Sequence, residues 1–276
     1  SGFSSGMESG EARRAEAEFS LASNANRLAY ICLFATTLLW YYRFDGYTQR
    51  WTTWTLPFLL FLPVTALTTG SRSGLLQMAV LGVLLVKEQK GWSVTKRICC
   101  VFFVGFIALL VLAVVPATHL VRATTFDPQM EAPGQQSLQS RQRIVIDALK
   151  MVATDPIFGA GLGNFPWVAR AYFDSGGHTH NSYLWALTSG GIGVLVLYLL
   201  LFYVTYRMLR QLENSGPREL HWLSKGLRVN LILFLIFTCF ADFWTSDFMY
   251  LIIALTTSMT YLWRREEQQK FSSNPI

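Results

Sequence analysis

The sequence predicts an all-α, polytopic membrane protein, and three observations carry that expectation. Apolar residues make up 52% of the 276-residue chain against 14% charged. They are gathered into long runs separated by short basic or glycine-rich connectors, unlike the interleaved pattern of a soluble core. The runs lack the two-residue alternation of a barrel strand, and an open sheet would leave backbone groups unsatisfied in hydrocarbon, so the spans must be helices.

Taken in order, the apolar runs fall near 27–44, 51–69, 74–86, 98–116, 182–206, 229–241 and 248–263. Each approaches the roughly 20 residues that cross about 30 Å of hydrocarbon, with 74–86 and 229–241 the shortest. Seven crossings are expected. Residues 1–26 read as a polar loop of mixed charge without the basic and apolar regions of a signal peptide. Because the chain starts at Ser1, a fragment whose earlier spans are missing is expected.

Basic residues set the orientation. Lys87, Lys90, Lys96 and Arg97 crowd one connector, Arg207, Arg210, Arg218, Lys225 and Arg228 another, and Arg264, Arg265 and Lys270 follow the last span. The positive-inside rule assigns these three places to the cytoplasm. Residues 1–26, the turn at 69–74, the long loop 117–181 and the connector Asp242–Asp247 then face outward. The net charge of +6 is therefore topological and gives no reason to expect nucleic acid. Cys32, Cys99, Cys100 and Cys239 lie in or beside apolar runs, where a thiol acts as a small hydrophobe; no disulfide framework is expected.

A loop of this length between two spans is commonly functional. Its first part, 117–136, holds His119, Arg122, Asp127, Pro128 and Pro133 in irregular order. A helix capped by Ser137 or Ser140 should follow and end near Asp155, because Pro156 disfavours helical backbone before it. At about 100° per residue, Arg141 aligns with Ile144, Val145, Ala148, Leu149 and Val152, so it is expected to point at protein. Arg143, Asp147 and Lys150 form the opposite, solvated row. No acidic residue of the apolar stripe offsets Arg141, which implies an anionic ligand. The glycines of Gly159-Ala-Gly161-Leu-Gly163 read as turn residues, since a dinucleotide fingerprint would need a strand before them.

The loop closes on His178-Thr179-His180-Asn181, immediately before a span. A histidine there is commonly an interfacial side chain. However, Asn181 can orient imidazole or substrate, and a helix N-terminus attracts anions. His-x-His could supply two metal ligands, but the third would have to come from scattered candidates such as His119, Asp127 or Asp174; no metal or cofactor is expected. Arg72 stands in the tight turn Thr69-Gly-Ser-Arg-Ser-Gly74, where it either snorkels to headgroups or meets a lipid phosphate. Guanidinium forks match phosphate, and imidazole can act as a base near neutral pH.

Several motifs run in a fixed order: Asn24-Ala-Asn26-Arg-Leu-Ala, Thr69-Gly-Ser-Arg72, Arg141, Asp155-Pro-Ile-Phe-Gly-Ala-Gly-Leu-Gly-Asn-Phe165, His178-Thr-His180-Asn-Ser-Tyr-Leu184 and Ser189-Gly-Gly-Ile-Gly193. This order resembles the O-antigen ligase and O-antigen polymerase superfamily, which includes protein O-oligosaccharyltransferases. The resemblance implies a GT-C-like helical bundle of which this chain is the C-terminal part, with about five spans absent. The expected organisation is a periplasmic loop 1–26, four transmembrane helices over 27–116, a periplasmic catalytic loop 117–181, three transmembrane helices over 182–263 and a cytoplasmic tail 264–276. The resemblance further implies metal-independent, inverting glycan transfer from undecaprenyl diphosphate to an acceptor hydroxyl such as that of lipid A–core, at the periplasmic face of the inner membrane. It assigns catalytic roles to Arg72, Arg141 and His180. Asn181, Arg122, Arg143 and Arg170 are candidate substrate-binding residues, and Asp242 and Asp247 are further candidates on the same side. A different class remains open, an anion transporter, although transporters place such charges nearer the bilayer midplane.

Overall fold

The computed structural model describes residues 25–44, 54–69, 71–88, 93, 95, 133–173, 179–240 and 247–273. Its regular elements are all helices: α1 (Ala25–Phe44), α2 (Thr55–Thr68), α3 (Arg72–Glu88), α4 (Pro133–Thr154), α5 (Phe165–Phe173), α6 (Ser182–Ser215), α7 (Arg218–Phe237) and α8 (Asp247–Ser273). The expected run 98–116 lies outside the described residues, as do Arg122, Asp174, His178 and Asp242. The chain divides into two compact units, Ser1–Thr36 with Trp54–Thr125, and Thr37–Thr53 with Phe126–Ile276.

In the first unit, α2 and α3 pack as a hairpin closed by the turn at 69–71. Ser71 caps α3, its Oγ accepting the Gly74 amide at 3.0 Å. Small residues let α3 approach α1 closely, since a Cβ on Gly74 would come within 2.7 Å of the Ala29 Cβ.

In the second unit, α7 is the central helix, buried over most of its circumference from Ser224 to Phe237. α6 and α8 pack against it. α8 buries a stripe at helical spacing that includes Met249, Ile252, Thr256, Met259 and Trp263, and it packs on both α6 and α7. Among the described helices, α6 and α7 are long and apolar enough to cross a membrane. The helix read as 229–241 begins at Arg218, and Arg207 and Arg210 lie inside α6. The basic connector is therefore only Gly216-Pro217. Across this hairpin Glu213 holds Arg228, Nε to Oε1 2.5 Å.

The run expected as one span from 182 is two arms. A 34-residue helix would be about 51 Å long, well beyond the hydrocarbon thickness. Gly190 (φ −152°, ψ 22°) and Gly191 (φ 68°, ψ −163°) break it, leaving a short arm, 182–189, and a long arm, 192–215. Fifteen residues of straight helix would separate Tyr183 from Tyr198 by about 22 Å. Their ring centroids lie 6.0 Å apart, so the short arm folds back along the long one.

Candidate functional site

The loop helix α4 starts at Pro133, which suits a first helical position because its missing N–H would have no partner there. Ser137 and Ser140 therefore lie inside it, contrary to the expected caps. It ends at Thr154 as expected, before Pro156. Its buried line is Ile144, Asp147, Ala148 and Met151, whereas Leu149 is exposed and Val145 and Val152 are half-buried. The packed face is thus turned roughly one fifth of a revolution from the expected stripe. Asp147, expected in the solvated row, is only 7% exposed. Exposed Lys150 reaches over to it, Nζ to Oδ1 3.4 Å. The reason is tertiary: apolar residues spread over more than half of this helix's circumference, and α5 and the short arm select which are covered.

They do so through one core of Ile144, Ala148, Met151, Phe165 and Ala169, joined by half-buried Ala160, Val168, Phe173 and Leu184. Leu184 belongs to the short arm. The helix that carries Arg141 is thereby fixed to the helix that begins beside His180. Helix α5 was not anticipated, although Asn164 followed by Phe165, Ala169 and Phe173 at four-residue spacing was the available signal.

Between these helices the turn residues bridge the break in α6. The Ala160 amide donates to the Thr188 carbonyl at 2.8 Å, and the Ile192 amide donates to the Pro156 carbonyl at 2.9 Å. The carbonyl ends of the short arm and the amide ends of the long arm lack intrahelical partners, and the loop satisfies one of each. Side chains are excluded at the contact. A Cβ on Gly159 would meet the Thr188 carbonyl oxygen at 2.5 Å, and one on Gly191 the Ile157 carbonyl oxygen at 2.0 Å. Gly159, Gly161 and Gly163 all have positive φ, as their reading as turn residues requires.

His180 sits in this frame with its backbone left-handed, φ 49°, and is the only non-glycine residue with positive φ among the described residues. It is exposed, while Thr179 before it is buried. The Thr179 hydroxyl donates to the Asn181 carbonyl at 3.0 Å, spanning the histidine. Asn181 caps the short arm: its Oδ1 accepts the amides of Tyr183 at 3.0 Å and Leu184 at 2.9 Å. Its Nδ2 donates to the Cys239 carbonyl at 3.1 Å. The Ser182 amide donates to the Thr238 carbonyl at 2.8 Å, and the Tyr183 hydroxyl to the Leu235 carbonyl at 2.7 Å. The end of α7 thus holds the backbone on the C-terminal side of His180.

Arg143 and Arg170 are exposed. The Arg170 guanidinium carbon lies 5.7 Å from the Trp167 ring centroid, a cation–π pair. Arg72 is the first residue of α3, in the first unit, whereas Arg141 and His180 belong to the second. The side chains of Arg72 and Arg141 lie outside the described residues, and with them the expectation that Arg141 points at protein. The turn that carries Arg72 is held by Ser71, whose Oγ donates to Asn26 Oδ1 at 2.6 Å and lies 3.0 Å from Ser73 Oγ. Asn26 stood in the first quoted motif with no role attached, and its role is to hold this turn.

A search of curated proteins finds no match. A sequence family described as O-antigen ligase matches residues 56–199, just over half of the chain. That stretch includes the Arg72 turn, the loop helix, the glycine turns, His180 and the break at Gly190-Gly191. The chain is a helical membrane protein that belongs to the O-antigen ligase family.

Proposed function

We propose that this protein transfers a glycan from undecaprenyl diphosphate to an acceptor hydroxyl, that of lipid A–core, at the periplasmic face of the inner membrane and without a metal. In this reading the acceptor oxygen bonds to the anomeric carbon as the bond to the diphosphate breaks, with inversion. The His180 imidazole takes the hydroxyl proton. Arg72 and Arg141 meet the charge that develops on the departing diphosphate. Asn181 fixes the histidine, and Arg122, Arg143 and Arg170 line the approach of the anionic donor. The seven-span organisation, with 1–26 and 117–181 periplasmic and 264–276 cytoplasmic, belongs to the same proposal.

The observation that carries the reading is the setting of His180: an exposed residue in left-handed backbone, bracketed by two anchored neighbours. Left-handed backbone at a non-glycine residue costs about 1–3 kcal/mol and persists where the surroundings impose it, commonly at functional positions. A base held in this way loses little freedom when the acceptor arrives.

Complementation tests it. The complete protein and its His180→Ala variant are expressed in hosts that lack either a ligase or a polymerase, and the surface glycan is examined. Restored attachment of pre-made chains is expected, and the alanine variant should fail at equal membrane abundance. Restored chain length would assign a polymerase, and glycosylated protein an O-oligosaccharyltransferase. Anion flux across vesicles without sugar transfer would replace the enzyme with a transporter.

A further inference from the structure

We infer that the loop module 133–173 carries its own membrane-docking surface, and that the turn at Ile157-Phe158 inserts into the outer edge of an anionic bilayer. Five large apolar or aromatic side chains, Ile157, Phe158, Leu162, Trp167 and Tyr172, are each well over half exposed within sixteen residues of sequence. A soluble surface scatters such residues singly, so a group of them marks an interface.

Three observations identify lipid as the occupant. The Ile157 carbonyl faces Gly191, so the turn sits at the head of the long arm of α6. That arm begins with exposed Ile192 and continues through exposed Val196, Leu197 and Leu200. This is an apolar face on a helix long enough to span a membrane, and the exposed turn continues it at the helix end. Second, the composition is that of a membrane interface: Trp167 and Tyr172 share helix α5 with Arg170, which lies over the Trp167 ring. Aromatic rings with a basic side chain favour the headgroup level. Third, the charge is complementary to anionic headgroups. Residues 133–173 hold four basic residues and two acidic ones; Lys150 is paired with Asp147, which leaves Arg141, Arg143 and Arg170 against Asp155. The inference rests on the membrane class of the chain and does not depend on which acceptor the enzyme uses.

The test uses the full chain in nanodiscs of phosphatidylethanolamine and phosphatidylglycerol. Its four cysteines are replaced by serine, and an environment-sensitive fluorophore is placed through Phe158→Cys or, as a second site, Trp167→Cys. Gln269→Cys in the polar end of α8 is the reference. Lipids with a nitroxide near the headgroup should quench the label at 158 or 167 on the order of twofold more than at 269, and aqueous iodide should quench it less. Replacing phosphatidylglycerol by a zwitterionic lipid should weaken the lipid quenching. Iodide quenching equal to the reference would place the turn in water, and protection from both quenchers would place it against protein. Either result would overturn the inference.

Discussion

At the residue scale, the proposed base His180 and the helix cap Asn181 call for different tests. Replacing His180 by alanine should lower transfer by about 10²–10⁴-fold, the usual contribution of a positioned base, and leave membrane abundance unchanged. Assays of purified variant and parent check this, and equal turnover would sink the base assignment. Asn181→Ala removes a helix cap that accepts two amides, together with the tether to Cys239. It should cost about 0.5–2 kcal/mol of stability, read as a lower Tm, and should lower turnover as well because His180 loses its C-terminal anchor. Histidine and asparagine at the mouth of a span were legible as a candidate pair. The tethering of Asn181, Ser182 and Tyr183 to the end of α7 was not, because it depends on Leu235, Thr238 and Cys239, more than fifty residues away.

At the scale of elements, the decisive feature is the broken helix. Gly191 and Gly159 are small because backbone meets backbone at their contact, whereas a Cβ on Gly190 would meet the Val194 side chain. Gly191→Ala should displace the loop: its positive φ alone costs about 1–3 kcal/mol, before the overlap with the Ile157 carbonyl oxygen is counted. The expected result is faster proteolysis between 155 and 165 and loss of transfer, with α7 and α8 intact by hydrogen exchange. Protease resistance equal to the parent would show that the bridge does not hold the loop. The glycines themselves were visible as turn residues. Their pairing across roughly thirty residues was not, since sequence periodicity describes one helix at a time and says nothing of which loop caps its break.

At the scale of the whole molecule, the α6–α7 hairpin is locked near its tip by Glu213, which meets both Arg228 at 2.5 Å and Arg210 at 3.4 Å. The Glu213 and Arg228 side chains are almost fully buried, so removing Arg228 leaves buried Glu213 with only its longer contact to exposed Arg210. Arg228→Met should destabilise by about 3–5 kcal/mol, while the double change with Glu213→Met should recover most of that loss. Thermal unfolding in detergent measures both. An equal Tm for the single and double variants would mean that the pair is not coupled. These same arginines served in the sequence only as markers of a cytoplasmic connector, because charge counting does not distinguish a solvated residue from one paired inside a helical hairpin.

Composition and the length of the apolar runs determined the helical membrane class, since hydrocarbon admits few other solutions to backbone hydrogen bonding. The order of short motifs pointed to the family that the match over residues 56–199 establishes. Tertiary structure decided the rest. On α4 it buried Asp147 and Met151 beside the expected Ile144 and Ala148, and left Leu149, which the pattern had placed on the packed face, exposed. It also folded one apolar run into two arms joined to a distant turn. Both outcomes follow from contacts between residues far apart in the chain: an apolar arc wider than one packing face leaves the choice of face to whatever packs against it.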